Sequence, residues 1–144
     1  MNAVIASARG WIGTPYVHQA SRRGAGCDCL GLLRGIWREV IGPEPEPVPA
    51  YSMDWSEPQG SECLWQAVLR HFAPKPKHKA ALADVLLFRM REGAVAKHLG
   101  LQARIGPKAS FIHAYSRHGV IESALSAPWE RRVVARFAFP TEIM

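Results

Sequence analysis

The chain contains no apolar run approaching the ~20 residues that span a bilayer, and Met1 to Trp11 lack a basic start followed by a long apolar core. On this reading it has neither a membrane span nor a signal peptide, and it is expected to be made in the cytoplasm. Cysteine is scarce. Three residues, Cys27, Cys29 and Cys63, build no even disulfide framework, and a working thiol would have to stay reduced. There is no internal repeat and no low-complexity tract. Acidic side chains are also few, 12 against 18 Lys and Arg, which gives a formal charge of +6. That excess suits an anionic partner such as cell wall, lipopolysaccharide or nucleic acid, or is simply a solvated basic surface.

What is present is a globular composition. The 144 residues are 48% apolar, enough for one domain, 1–144, with a real core. The chain is organised around Gly26-Cys27-Asp28-Cys29-Leu30-Gly31-Leu32-Leu33. Asp28 is placed to cap a helix by accepting unpaired first-turn N–H groups. Leu32, Leu33, Ile36, Trp37 and Val40 then recur at helical spacing until Gly42-Pro43 stops the run. Cys29 falls in the first turn, where the helix dipole favours thiolate over thiol. Gly31 and Gly35 leave room for another element to approach.

Along the rest of the chain, Asn2 caps a first helix carrying Val4, Ile5, Ala8, Trp11 and Ile12, ended by Gly13 and Pro15. Tyr16 follows in an extended segment, then a basic loop, Ser21 to Gly26. The prolines of 42–49 favour an extended excursion that walls one side of a cleft or is a plain stiff loop. Ser61 opens a helix with Leu64, Trp65, Val68, Leu69 and Phe72 on one side, in which Cys63 reads as structural. Pro74 to Lys79 reads as a basic loop. Strands follow at Val85–Phe88, from His98 through Ile105, at Phe111–Tyr115, Val120–Ser123 and Val133–Phe139. Leu99, Leu101, Ala103 and Ile105 share one face, which puts His98 on the other, available to a cleft. Helices first and strands later predict an α+β domain with an antiparallel sheet.

A thiol attacks an amide as thiolate once a nearby imidazole has taken its proton, and that imidazole needs a partner on its other nitrogen. The pieces Gly13-Thr14-Pro15-Tyr16, Asp28-Cys29-Leu30-Gly31-Leu32, Ala83-Asp84-Val85-Leu86-Leu87-Phe88, His98-Leu99-Gly100-Leu101 and Phe111-Ile112-His113-Ala114 resemble, in order and through most of the chain, the NlpC/P60 family of papain-like cysteine peptidases. The likeness extends to its short phage-type members, including those of gene transfer agents.

The resemblance implies a papain-like fold with N-terminal helices packed on a central antiparallel sheet. It implies Cys29 as nucleophile, His98 as base and His113 as the residue orienting it. Tyr16 and Asp28 fall at oxyanion- and substrate-binding positions. Two departures stand out: Val17-His18-Gln19-Ala20 where the family often has Trp-Gly-Gly, and Leu30 where it usually has serine. Cys27 reads as structural, or as a reversible disulfide partner that shields Cys29.

The implied activity is hydrolysis of peptidoglycan stem peptides, with the D-glutamyl–diaminopimelate bond the expected target and no cofactor. Because that substrate lies outside the cytoplasm, delivery by a phage-like tail or release at lysis is expected. Three alternatives stand beside this: zinc held by Cys27, Cys29, His98 and His113; a nucleic-acid module using Arg22-Arg23 or Arg131-Arg132; and a virion component that keeps the fold without catalysis.

Overall fold

Two side-chain caps set the first two helices of this computed structural model, which describes residues 2–48, 51 and 62–140. Asn2 accepts the Val4 and Ile5 N–H groups at 3.0 and 3.2 Å, and α1 spans Ala3–Gly10. Trp11 lies past its end, in a turn, yet is buried. Ile12, expected on the same face, is 43% exposed. A short hairpin, β1 (Ser21–Arg22) and β2 (Gly26–Cys27), leads to α2 (Cys29–Val40), where Asp28 accepts the Gly31 N–H at 2.7 Å. Helix α3 covers Cys63–His71; Ser61, read as its start, and Pro49 lie outside the described residues.

The remaining strands are β3 (Ala73–Lys75), β4 (Val85–Phe88), β5 (His98–Arg104), β6 (Ser110–Tyr115), β7 (Gly119–Ala124) and β8 (Val133–Ala138), with the one-turn α4 (Ala127–Glu130) before the last. They form one antiparallel sheet in the order β3-β8-β4-β5-β6-β7. The α+β class, with N-terminal helices on an antiparallel sheet, is as the sequence predicts. Pro74 and Lys75, read as loop, instead begin the sheet at its edge, where a residue without an N–H is tolerated.

One sheet face carries Val85, Leu87, Leu99, Leu101, Ile112 and Ala114 into a core shared with Val4, Ala8, Trp11, Leu32 and Ile36 of the helical layer. Burying these chains is the main favourable term in the fold. The opposite face is covered as well. Leu86, Phe88, Phe111 and Val133 form a second cluster with Met90, Leu125 and Trp129 packed on it. The alternation in β5 predicts one covered face, but every residue from His98 to Ala103 is buried and only Arg104 is exposed. Ile105, read as part of the strand's apolar face, lies beyond its end and is 48% exposed.

Farther along that second face, Arg136 reaches Asp84 and Gln102 at 2.8 Å each, and Lys75 adds a 3.0 Å bond to Asp84. A buried carboxylate is tolerated because its partners are in place.

Helix α2 approaches the Trp11 indole through Gly35. A Cβ there would sit 2.0 Å from Trp11 Cζ2, so the chain cannot accept even a methyl group without moving the ring. Gly35→Ala should therefore lower the free energy of unfolding by ~1–3 kcal/mol, although alanine is the better helix former. Urea denaturation of the two proteins measures this; equal or higher stability of the variant would show the contact to be soft.

Candidate active site

Cys29 is the first residue of α2 and is buried, at 7% exposure. Its sulfur lies 3.8 Å from the Lys97 carbonyl oxygen, to which the thiol donates, and the Leu99 backbone N–H is placed to favour its thiolate form. The nucleophile candidate is thus set against the backbone on both sides of His98. Strand β5 pairs with β6 from Leu101↔Ile112 onward, and the thiol sits beyond that point, at the start of β5.

His98 begins β5 opposite Phe88 of β4. His113 lies within β6, opposite Ile121 of β7. Their rings are joined by a 2.8 Å contact between His98 Nε2 and His113 Nδ1. His113 Nε2 lies 2.9 Å from Ser123 Oγ, which extends the line to a residue in β7 that sequence reasoning placed in a strand and gave no role. For the outer nitrogen of His98, Nδ1, to accept a proton, Nε2 must carry the hydrogen and donate it to His113. His113 then donates to Ser123, whose hydroxyl can accept.

The histidines are not open to a cleft, although the strand alternation predicts an open His98. Trp129, from α4, lies 5.9 Å from the His98 ring and 5.2 Å from the His113 ring, and Phe88, Phe111 and Tyr115 complete the enclosure. This dry setting decides the charges. Burial pushes His98 down to about 3, helped by His113, and pushes His113 down to about 4, helped by His118.

The thiol moves the opposite way from its expected direction. Burial pushes Cys29 up to about 12 and the Asp28 carboxylate adds to the rise, against which the backbone bonds from Leu99 and Leu30 act only in part. The helix start stabilises thiolate, but removal from water costs it more. At rest the site holds a thiol and two neutral imidazoles.

Tyr16 runs beside Cys27 in a parallel bridge. Its hydroxyl is pushed up to about 12, first by burial and then by the negative forms of Cys29, Asp28 and Cys27, so it remains a donor next to the thiol. Asp28 is 2% exposed. Its Oδ1 takes the Gly31 N–H, and its Oδ2 takes the Gln19 N–H at 2.7 Å and the Tyr51 hydroxyl. It is occupied by the protein itself rather than presented to a ligand.

Cys27 is buried in β2, within the helical core. Cys63 lies in α3 among the residues lining a separate cavity of about 530 Å³ between α2, α3 and the proline-rich stretch. That stretch does form a wall, held by Glu44 on Arg34 and Arg38 and by Glu46 on Arg70. The cavity it walls does not include Cys29, His98 or His113. The zinc alternative lacks support in the arrangement: among the described residues, no three His, Cys, Asp or Glu side chains are grouped to hold a metal ion.

The depressed histidines make stability depend on pH in a defined sense. Both bind a proton more weakly in the folded chain than in the unfolded chain, where histidine titrates near ~6.5. The stability this confers is complete above that value and is lost as pH falls toward the folded values of about 3 and 4. Each histidine should remove on the order of 1–2 kcal/mol between about pH 7 and about pH 5. Denaturation of wild type and His98→Gln at both pH values checks this, the variant showing the shallower decline. Parallel declines would mean that His98 is hydrated in the folded protein.

No protein-family model matches the chain, and no curated protein matches it in sequence. Solved structures do. The chain is similar to a lipoprotein-like NLP/P60 family protein from Staphylococcus aureus, at 16% identity and TM-score 0.62 over 95% of this chain and 40% of that one. It is similar to an NlpC/P60 family protein from Bacillus cereus, at 19% identity and TM-score 0.66 over 96% of this chain and 40% of that one. It is also similar to the NlpC/p60 domain of the peptidoglycan hydrolase SagA, at 21% identity and TM-score 0.59 over 98% of this chain and all of that domain. The chain therefore spans less than half of the first two proteins and the full length of the third. At these identities the likeness is one of architecture: the chain has the NlpC/P60 fold.

Proposed function

We propose that the chain is a cysteine peptidase that hydrolyses peptidoglycan stem peptides. The observation that carries this reading is the Cys29 sulfur at the backbone beside His98, together with the joined rings of His98 and His113. The sulfur lies against the backbone around His98, and the two rings are joined Nε2 to Nδ1 at 2.8 Å. The fold shared with a domain of a peptidoglycan hydrolase supports the substrate class, and the charge of +6 suits an anionic wall polymer.

In the proposed reaction His98 Nδ1 takes the Cys29 proton, and the sulfur attacks the peptide carbonyl carbon. The charge left on His98 is shared with His113 through the Nε2–H bond. The Tyr16 hydroxyl donates to the oxyanion of the tetrahedral intermediate. As the carbon–nitrogen bond breaks, His98 returns the proton to the departing amine. Water, deprotonated by the same ring, then cleaves the thioester and restores the thiol. Because the resting pair is neutral, proton transfer accompanies substrate entry instead of preceding it. The finer reading is cleavage at the D-glutamyl–diaminopimelate bond by a protein carried in a phage-like particle with tail proteins, or released at lysis, and acting in the periplasm or wall.

The test is digestion of purified diaminopimelate-type peptidoglycan under reducing conditions, with products identified by mass spectrometry. Peptide cleavage with uncut glycan is expected. Cys29→Ala and His98→Ala should each lose more than ~100-fold in rate, and the double variant should be little worse, as for groups acting as one unit. His113→Asn should retain measurable activity and His113→Ala less. A folded, reduced wild type that releases nothing, or a Cys29→Ala variant that remains active, rejects the reading. Salt-dependent DNA binding without muropeptide release would favour the nucleic-acid module.

A further inference from the structure

Tyr51 stands apart from every residue singled out in the sequence, at the end of the proline-rich stretch and 23 positions from Asp28. Its hydroxyl nonetheless donates to Asp28 Oδ2. Its backbone carbonyl is held from the other direction, by Gln19 Nε2 at 2.6 Å and His18 Nε2 at 2.9 Å. The His18 ring meets the Tyr51 ring edge-on at 5.3 Å. Gln19 closes the loop, since its own N–H donates to the same Oδ2. One tyrosine therefore joins three pieces: the segment that carries Tyr16, the carboxylate that starts α2, and the end of the proline-rich stretch.

We infer that Tyr51 is a positioning residue for the Cys29 site, acting through Asp28. The inference rests on the proposed role of Cys29 as nucleophile.

The geometry gives the reason. Asp28 is the residue before Cys29, and its two oxygens have separate duties. Oδ1 caps α2 through Gly31, while Oδ2 ties to Gln19 and Tyr51. A carboxylate satisfied on both oxygens is fixed in rotation, and so is the first turn that begins with Cys29. The same hydroxyl faces a negative charge that would otherwise bear more heavily on the thiol. Asp28 raises Cys29, Cys27, Tyr16 and Tyr51 alike.

Of the other groups around it, His18 Nδ1 is 3.8 Å from Oδ2 and is held by the Tyr51 carbonyl through its far nitrogen. Arg34 feels the carboxylate but pairs with Glu44 at 2.7 Å. His98 is neutral at rest. Burial, then the bond to Asp28, raise the Tyr51 hydroxyl far above its ordinary value, so it is a donor at neutral pH.

The deciding experiment is the pH dependence of Cys29 alkylation by iodoacetamide, read by peptide mass spectrometry on the full chain. It is run on wild type, Tyr51→Phe, Asp28→Asn and the double variant, with kcat and KM on a stem-peptide substrate beside it. Losing the hydroxyl should raise the pH midpoint by about one unit and slow alkylation in mildly alkaline buffer about tenfold. It should lower kcat by a similar factor and leave KM within about twofold. In the Asp28→Asn background, Tyr51→Phe should add nothing. A merely structural contact would lower the melting temperature without moving the alkylation profile.

An unchanged profile in Tyr51→Phe, or an equal slowing in the Asp28→Asn background, overturns the inference whatever happens to kcat. If Tyr51→Phe does not fold, Gln19→Asn serves instead. It keeps a residue that tolerates the positive φ of 66° at this position while withdrawing the amide from the Tyr51 carbonyl, and it should move the profile in the same direction; no movement there counts against the inference equally. A wild type that cleaves no peptidoglycan removes the functional reading, while the alkylation arm still decides the role of Tyr51.

Discussion

One buried carboxylate holds the front of this molecule together. Asp28 has lost almost all contact with water, which is tolerable only because three donors from separate parts of the chain replace it: Gly31 in the first turn of α2, Gln19 after Tyr16, and Tyr51 after the prolines. None of these bonds is part of a regular ladder. Together they fix where α2 begins, how the preceding segment lies against it, and where the proline-rich stretch ends. Arg34 and Arg38, one turn apart on α2, reinforce that arrangement by gripping Glu44. Cys29 inherits its position from this cluster and its surroundings from the sheet.

The sheet treats its two faces differently. Toward the helices it is aliphatic, and it packs against α1 and α2 as an ordinary core. On the other face it is divided. One end holds an ionic group, with Asp84 between Arg136 and Lys75. The other holds the aromatic enclosure in which His98 and His113 sit under Trp129. Arg132, just after α4, lies over the same indole, 5.2 Å from its centre, so the covering ring is itself held by a cation. Dryness around the histidine pair thus depends on a four-residue helix that contributes little else.

Legibility in the sequence followed the range of the interactions. The cap and spacing of α2 are local, as is the apolar run of β4, and both were readable. The order of Cys29, His98 and His113 was readable as a pattern, and the two histidine rings meet because β5 and β6 are neighbours in the sheet. What failed was whatever depended on distant cover. His98 looked open because alternation reports only a strand's own two faces; Phe88 and Trp129, from elsewhere in the chain, close the second one. The thiol looked acidic because the helix start is visible in sequence and the loss of water is not. Ser123 and Tyr51 carried no local signal at all. Each matters only through a partner, His113 or Asp28, brought to it by the fold. The two-residue strands β1 and β2 and the single turn of α4 are too short to leave a period.

The borders of the sheet have a consequence for how the molecule behaves among its own copies. A flat, unpaired border strand is a template for another chain and a start for aggregation. Here one border is short and the other is partly covered among the described residues. At β3 the strand is three residues long, Pro74 has no N–H to give, and Lys75 turns toward the buried Asp84. At β7 the chain covers itself: Gly13 donates to the Val120 carbonyl at 3.0 Å, and Val120 donates to the Thr14 carbonyl at 2.9 Å. The turn that ends the first helix also shields the last strand of the sheet. Both backbone groups of Val120 are thereby turned inward, which leaves less of that border open to a neighbouring chain.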